Sequence, residues 1–155
     1  MVAKQSPFLQ IPLMVFPNAK GLDLPSYATD GSAGVDLRAA ISDELLLQRN
    51  ERKLIPTGVG IALPVGYNAE IRSRSGLAYK NGVMVLNSPG TVDSDYRGEL
   101  MVLLMNLGEE SFRVERGMRI AQMVIIKHET VVWKEVNVLE DTSRSTGGYG
   151  STGVK

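Results

Sequence analysis

Short apolar runs rich in Val and Ile follow one another along this chain, and Gly, Pro, Asn and Asp separate them. Runs of this length and spacing are typical of an all-β sandwich, jelly roll or barrel. Only the stretch from Ser75 to Asn81 has the character of a short helix, of about two turns. We therefore predict an all-β domain with strands at Ile11–Phe16, Leu54–Leu63, Tyr67–Arg72, Val83–Leu86, Leu100–Asn106, Ser111–Val114, Arg119–Lys127 and Thr130–Val136.

Two of these runs lack the alternation of apolar and polar residues that marks a strand with one solvated face. Met101–Met105 and Met123–Ile126 are apolar at every position. We therefore expect both faces of these strands to be covered. In a single domain of this size, a second subunit is our preferred explanation. A strand that is fully internal to one chain is the alternative.

The composition excludes several kinds of chemistry. The 155 residues include 17 Lys and Arg, 17 Asp and Glu, one His and no Cys. Zero net charge argues against a broad nucleic-acid-binding surface. The absence of cysteine excludes disulfides, thiolate catalysis and Cys-ligated zinc. His128 follows an apolar run, so we expect it to be exposed at a strand end, and acid–base chemistry then falls to carboxylates.

The length fits one domain, but the final residues differ in composition. Ser, Thr and Gly dominate after Leu139, so we predict a β domain over 1–139 and a mobile arm over 140–155. The arm is either a frayed end or a segment that grips phosphate and stacks on a base, because it carries an arginine and an aromatic residue. The chain has neither an apolar run of the about 20 residues that a spanning helix needs nor a signal-peptide pattern, so we expect a cytoplasmic protein without a membrane partner.

Two internal segments concentrate polar side chains beside glycine. Arg74-Ser75-Gly76 stands where a strand gives way to the short helix. It is either an ordinary helix start or an anion site made of a guanidinium, a hydroxyl and free amides. Gly90–Gly98 contains Asp93 and Tyr96 and follows Asn87, and we predict that it forms a β-hairpin. A polar turn with solvated carboxylates is the alternative.

Two further segments place polar groups among apolar ones. Arg119 and Gln122 open an apolar strand, and buried polar groups need partners. An anionic ligand or a neighbouring subunit could supply them. Asp36 lies among small and apolar residues, where a carboxylate bound to backbone amides is the better interpretation of this segment taken alone.

In chain order, the segments AGVDL, RSGLA, GTVDSDYRG, GMRIAQ and RSTGGYGSTG resemble the five motifs of the trimeric deoxyuridine triphosphatase (dUTPase) family. The resemblance extends from Ala33 to Gly153. It implies a jelly-roll-like distorted barrel in a homotrimer whose active sites each take segments from all three chains. It also implies Mg²⁺-dependent hydrolysis of dUTP to dUMP and pyrophosphate, which keeps uracil out of DNA and supplies dUMP for dTMP synthesis.

The resemblance assigns roles to individual residues. Asp93 matches the catalytic aspartate, which orients or deprotonates a water for attack on the α-phosphorus. Gln122 would support the phosphates or this water, and Arg144 would act on the γ-phosphate. Asp36 matches a position that contacts the hydrated Mg²⁺ ion, through water. The implied substrate-binding residues are Arg74, Ser75, Gly76, Asn87, Gly90, Tyr96, Met101, Ser145, Thr146, Gly148, Tyr149, Ser151 and Thr152.

The implied recognition of the base and the sugar rests on the segment around Asp93. Asn87 and backbone groups near Gly90 and Met101 would pair with uracil, and Tyr96 would leave no room for a ribose 2′-hydroxyl. Tyr149 stands where the family usually has phenylalanine, and it stacks in the same way. A dCTP deaminase and a non-catalytic trimer that binds nucleotide or a protein are the alternatives.

Overall fold

Strands dominate the computed structural model, which describes residues 8–148. No helix in this part of the chain is long and apolar enough to cross a membrane. One turn of 3-10 helix lies at Pro17–Ala19. The strands and the helix are β1 Leu13–Val15, β2 Val35–Arg38, β3 Leu45–Leu47, β4 Arg52–Pro56, β5 Val59–Ile61, β6 Tyr67–Arg72, α1 Ser75–Asn81, β7 Val83–Val85, β8 Gly90–Val92, β9 Met101–Asn106, β10 Phe112–Val114 and β11 Arg119–Lys127.

The strands form four antiparallel sheets in a jelly-roll-like β fold, as predicted. The largest sheet has the order β2-β11-β6-β8, and a second has the order β4-β9-β7. Two pairs, β1-β5 and β3-β10, complete the set in the described chain. The core side chains come from all of the larger strands and include Leu37, Leu47, Ile55, Ile71, Val85, Val102, Leu104 and Ile120.

Alternation along the strands decides which side chains enter this core. In β6, Ala69 and Ile71 are buried, while Glu70 and Arg72 on the opposite face are only half-buried. In β11, the apolar residues Met123 and Val124 are both buried within the one chain. This part of β11 is therefore an internal strand of one chain, which was the alternative to burial by a second subunit.

The second apolar run behaves differently, because β9 keeps one face partly open. Val102 and Leu104 are fully buried, but Met101 on the other face is 37% exposed. Its neighbours across the sheet continue this open face: Leu54 of β4 is 55% exposed and Leu86, just after β7, is 41% exposed. We call Leu54, Leu86, Met101 and the half-buried Met84, Leu103 and Met105 the outer apolar face.

Several predictions of secondary structure are confirmed to the residue, and three are wrong. Tyr67–Arg72, Arg119–Lys127 and the helix Ser75–Asn81 have the predicted bounds. The run 54–63 is not one strand, since Gly58 breaks it at a φ of 68°. The run 130–136 forms no strand and lies exposed.

The predicted hairpin is the third correction. Strand β8 pairs with β6, whereas β9 pairs with β4 and β7. The intervening residues 93–100 therefore cross from one sheet to another and form a connecting loop, which we call the Asp93 loop. A turn within it is closed by the Tyr96 amide, which donates to the Asp93 carbonyl oxygen at 3.2 Å.

Two clefts that form a candidate active site

The first cleft opens at the edge of the largest sheet, where β2, β11, the end of β6 and the start of α1 meet. Its volume is about 400 Å³. Three of its lining residues are arginines and one is an aspartate, so its walls carry net positive charge. We call it the arginine cleft. Its polar and small lining residues are Ser32, Gly34, Asp36, Arg72, Arg74, Ser75, Gly76, Arg119 and Gln122.

Asp36 lies between two guanidinium groups of this cleft. Arg74 Nε lies 2.9 Å from Asp36 Oδ1, and Arg119 Nη1 lies 3.1 Å from Asp36 Oδ2. Arg74 also donates from Nη1 to the Arg119 carbonyl oxygen at 3.1 Å. The side chain of Asp36 is 22% exposed and that of Arg74 is 26% exposed. The carboxylate is thus bound by side chains, not by the backbone amides that its sequence context favours.

Gln122 and Arg119 have hydrogen-bond partners within their own chain. From the sequence, we expected a ligand or a second subunit to supply them. Gln122 donates from Nε2 to the Ser73 carbonyl oxygen at 2.9 Å. Its Oε1 would lie 2.8 Å from a Cβ at position 34, so the glycine there leaves room for the amide. Gln122 thereby ties β11 to the segment that precedes Arg74.

The start of α1 contributes open backbone to the cleft. Arg74 is the N-cap, and in the described structure its side chain makes no capping hydrogen bond. Ser75 is therefore the first helical residue and not the cap. Gly76 is exposed, and a Cβ there would meet nothing within 4 Å. Ser75 and Gly76 line the cleft, and the first amides of a helix have no partner within the helix itself.

The second cleft lies at the other edge of the same sheet, beside the Asp93 loop. It has a volume of about 220 Å³, and we call it the Tyr96 cleft. The Tyr96 hydroxyl donates to the Glu99 carbonyl oxygen at 2.9 Å, and this bond holds the ring against Gly98. Asp93 is exposed at the rim. The lining residues are Thr91, Val92, Asp93, Tyr96, Leu100 and Met101.

Asn87 and Gly90 stand just before this cleft in the chain. The side-chain amide of Asn87 lies so close to Gly90 that a Cβ there would be 2.9 Å from Asn87 Nδ2. Gly90 is buried at the start of β8, whereas Asn87 is exposed. The absence of a side chain at position 90 therefore lets the amide lie against the strand that leads into the Tyr96 cleft.

One chain keeps the two clefts apart. They share no lining residue. Their strands β2 and β8 are opposite edges of a four-stranded sheet, about 14 Å apart at three interstrand spacings. Val92 pairs with Ala69 in the first half of β6, so Asp93 lies toward the start of that strand, whereas Arg74 follows its end. Asp93 is therefore not brought together with Asp36, Arg74 or Gln122 within a single chain.

The predicted arm residues form a local turn where they are described. Arg144 donates from Nε to the Gly147 carbonyl oxygen at 3.0 Å, and the Ser145 amide donates to Thr142. Arg144, Ser145, Thr146 and Gly148 are exposed. Tyr149, Ser151 and Thr152 lie outside the described residues.

Sequence reasoning missed Arg72 as a residue of the arginine cleft. Glu70 accepts hydrogen bonds from Arg72 Nε at 2.9 Å and from Nη2 at 2.5 Å. Residues two apart on a strand share a face, so the Glu70–Arg72 spacing could have indicated this pair. Its position beside Arg74 and Arg119 depends on the pairing of β6 with β11.

A metal ion held by the protein alone has no ligand set here. Residues 8–148 contain no cluster of three His, Asp or Glu side chains that could bind one. Asp36 is the carboxylate of the arginine cleft, and each of its oxygens already accepts from a guanidinium. A carboxylate oxygen has a second lone pair, so Asp36 fits a contact through water and does not fit a direct ligand cage.

Comparison with known proteins identifies the family. Residues 20–153 match the family model described as dUTPase. Deoxyuridine 5′-triphosphate nucleotidohydrolase from Rickettsia canadensis is 60% identical over 84% of this chain and 88% of its own. The enzyme of that name from Rickettsia typhi is 53% identical over 94% of this chain and 98% of its own.

A solved structure shares the fold over almost the whole chain. The dUTPase of Staphylococcus bacteriophage 80alpha with dUpNHpp superposes with a TM-score of 0.83 at 26% identity, covering 94% of this chain and 99% of that one. The family match, the identities and the order of the motifs agree, and the chain belongs to the dUTPase family.

Proposed function

We propose that this protein hydrolyses dUTP to dUMP and pyrophosphate, and that its active form is a homotrimer. The observation that carries the proposal is the division of the family motifs between two clefts, one positively lined and one apolar with a tyrosine at its rim. A nucleoside triphosphate has the matching division, with an anionic chain at one end and a flat base and sugar at the other. This reaction removes a nucleotide that would place uracil in DNA and supplies dUMP for dTMP synthesis.

The arginine cleft is the phosphate end of the proposed site. Arg74 and Arg119 stand in fixed orientations on Asp36, so little side-chain entropy remains to be lost when an anion binds. Ser75 and Gly76 offer a hydroxyl and free amides beside them. Gln122 holds the backbone of this turn through Ser73.

The Tyr96 cleft is the base and sugar end. Asn87 and backbone groups near Gly90 and Met101 would pair with the edge of uracil. Cytosine presents a donor where uracil presents an acceptor, so it would leave buried groups unpaired and be rejected. The ring of Tyr96, held by its bond to Glu99, would pack against the deoxyribose and exclude a 2′-hydroxyl.

Asp93 is the proposed catalytic residue. Its carboxylate is exposed at the rim of the Tyr96 cleft, where it would hold the sugar 3′-hydroxyl and orient or deprotonate a water. That water would attack the α-phosphorus in line with the departing pyrophosphate. The oxygen of water forms the new bond to phosphorus, the bond to the bridging oxygen breaks, and pyrophosphate leaves.

We propose that Mg²⁺ arrives with the triphosphate, since the ion prefers phosphate and water ligands. When bound, it would neutralise part of the triphosphate charge. Asp36 would contact it through water, as the spare lone pairs of this carboxylate allow.

A trimer would bring together an arginine cleft and a Tyr96 cleft from different chains. A base bound at the Tyr96 cleft of one chain lies across the sheet from the arginine cleft of that chain, whereas the arginine cleft of a neighbouring copy could lie directly beside it. The outer apolar face adjoins the Tyr96 cleft through Met101 and is available for such a contact. Exposed side chains at 131–139, Trp133 at 89% among them, offer further apolar surface.

We further propose that residues 140–155 act as an arm separate from the β domain of 1–139. Arg144 would reach the γ-phosphate, with Ser145, Thr146 and Gly148 beside the phosphate chain, and Tyr149, Ser151 and Thr152 would complete the cover over base and phosphates. Closure of such a segment would exclude water from the reaction.

Pyrophosphate release from dUTP, dTTP, dCTP and UTP, each with Mg²⁺, tests the proposal. We expect release from dUTP alone, which would establish the reaction, the base selection and the sugar selection together. Asp93→Asn is the matched variant, expected to bind dUTP and to lose turnover by orders of magnitude. Ammonia released from dCTP would favour a deaminase, and binding of dUTP without turnover by the wild-type protein would favour a non-catalytic trimer.

A further inference from the structure

Ser73 joins the segment that enters the arginine cleft to the turn that carries Asn87, and its amide, its carbonyl oxygen and its hydroxyl oxygen each take part in a hydrogen bond. It follows β6 directly and precedes Arg74. Its carbonyl oxygen accepts from Gln122 Nε2 at 2.9 Å, and its Oγ accepts from the Val85 amide at 2.9 Å. Its own amide donates to Ser88 Oγ at a longer 3.4 Å.

On one side, these bonds fix the turn that enters the arginine cleft. The Ser73 carbonyl belongs to the peptide unit that joins Ser73 to Arg74, so the Gln122 bond fixes the plane of that unit. Arg74 starts from this fixed unit, and its guanidinium ends on Asp36. A shift at Ser73 would therefore move Arg74 and the amides of Ser75 and Gly76 together.

On the other side, Ser73 holds both ends of the turn that carries Asn87. This turn runs from Val85 to Ser88 and is closed by the Ser88 amide, which donates to the Val85 carbonyl oxygen at 3.2 Å. The Ser73 hydroxyl binds its first residue and the Ser73 amide binds its last. Val85 is 1% exposed, so its amide has no ready replacement from water if the hydroxyl is removed.

We propose that Ser73 is a positioning residue that sets both the phosphate-binding turn and the base-reading turn of each chain. The inference rests on the proposed function, since it takes the arginine cleft as the phosphate site and Asn87 as the base reader. Ser73 does not touch the reacting atoms. It acts on them through the backbone of Arg74 and through the 85–88 turn.

The test measures the two ends separately. The ratio of kcat/KM for dUTP to that for dCTP reports the base end, and the inhibition constant of inorganic tripolyphosphate with Mg²⁺ reports the phosphate end. Loss of one partly buried hydrogen bond corresponds to about fivefold. Ser73→Ala keeps the carbonyl oxygen that Gln122 binds and removes the hydroxyl that holds Ser73 to Val85. We expect it to lower the ratio and, because the released backbone of Ser73 shifts Arg74, to weaken tripolyphosphate binding, each by about this factor. A variant that is only less stable, or only partly active, would show the wild-type ratio and the wild-type inhibition constant.

Three variants keep the interpretation specific. Ser73→Thr retains the hydroxyl and is expected to retain both values. Ser88→Ala removes the longer of the two bonds between Ser73 and the 85–88 turn and keeps the bond of the Ser73 hydroxyl to Val85, so it is expected to change both values by less than Ser73→Ala does. Ser42→Ala removes an exposed hydroxyl that donates to Asp43 and is expected to change neither value.

The outcomes separate this inference from the proposed function. A wild-type protein that leaves dUTP intact would overturn both. An active wild-type protein would overturn the positioning role alone if Ser73→Ala changed neither value, or changed one and not the other.

Discussion

At the scale of single residues, Asp36 determines how the cations of the arginine cleft are arranged. Its two oxygens bind Arg74 and Arg119 separately, which holds two like charges in one small cleft. Without the carboxylate the two guanidinium groups would repel each other and move toward solvent. The first effect of losing Asp36 is therefore on the positions of the two guanidinium groups in the proposed phosphate site.

Asp36→Asn tests this reading of the cleft. The amide keeps the shape of the side chain but replaces an ion pair with neutral contacts, and we expect a loss of about 1.5 kcal/mol, or about tenfold in kcat/KM for dUTP. Steady-state kinetics at several Mg²⁺ concentrations provide the measurement. Asp43→Asn, in an exposed loop, is the matched control. An unchanged kcat/KM would show that the ion pairs do not orient the arginines.

At the scale of elements, the Asp93 loop owes its shape to a tyrosine packed on a glycine. A Cβ at position 98 would lie 2.4 Å from the Tyr96 hydroxyl oxygen and 2.7 Å from Cζ. The ring would have to leave its place and with it the bond to Glu99. Any side chain at position 98 therefore disturbs the wall of the Tyr96 cleft.

We expect Gly98→Ala to weaken the discrimination between dUTP and UTP. Displacement of the Tyr96 ring opens the space that a 2′-hydroxyl needs, and one lost packing contact corresponds to about tenfold in the ratio of the two kcat/KM values. Gly31→Ala is the control, because a Cβ there meets nothing within 4 Å. A ratio equal to that of the wild-type protein would argue against Tyr96 as the sugar selector.

The turn from Gln48 to Glu51 is a second element, and its contribution to stability should depend on pH. The Gln48 amide, which donates to Glu51 Oε2 at 2.8 Å, and then Lys53 hold the pKa of Glu51 below its ordinary value of 4.5. A lowered pKa in the folded state gives a stability contribution that is present above the ordinary pKa and lost as the pH falls through the folded-state value.

Glu51→Gln should therefore lower the melting temperature slightly at neutral pH and by less in acid. The difference from the wild-type protein is expected to shrink as the pH falls below 4.5 and through the lower pKa of the folded state, because the wild-type carboxyl group then becomes protonated and is uncharged, as the glutamine amide is. Thermal unfolding over that pH range measures it. Glu129→Gln, at an exposed position after β11, is the control. A difference that is constant with pH would rule out the charge of Glu51 as its source.

The elements also show which parts of the molecule the sequence can predict. The sequence predicts two strands to the residue, Tyr67–Arg72 and Arg119–Lys127. Burial within one chain sets the alternation of apolar and polar residues in the first strand and the high apolar content of the second. The interruption at Gly58 was not predictable, since it depends on the approach of Ala19 from 39 positions away, where a Cβ would lie at 2.3 Å. The run 130–136 has the composition of a strand, but it has no partner strand in the described chain.

The site divides in the same way. The motifs identify Asp36, Arg74, Asp93 and Gln122 as residues with chemistry, because their order in the chain matches the family. Their separation into two clefts follows from the sheet order β2-β11-β6-β8, which pairs strands that are distant in the chain. No local pattern encodes that order, so the sequence could not place Asp93 on the opposite edge from Asp36.

At the scale of the whole molecule, the proposed trimer makes assembly a condition of activity, because the two clefts lie apart in one chain. If each site takes an arginine cleft from one chain and an Asp93 loop from another, two variants with different defects should complement each other. Arg74→Ala disables the first part and Asp93→Asn the second. A mixed trimer can then contain a site with both parts intact, whereas a trimer of either variant alone cannot.

We expect mixing of these two inactive variants, followed by subunit exchange, to restore dUTP hydrolysis to roughly a quarter of the wild-type level. The fraction follows because one half of the chains supply an intact cleft and one half supply an intact Asp93 loop. Native mass spectrometry identifies the mixed trimers, and the unexchanged mixture is the control. Confirmed mixed trimers without activity would mean that each chain supplies both parts of its own site. A change in chain conformation would then have to bring Asp93 across the sheet to the arginine cleft.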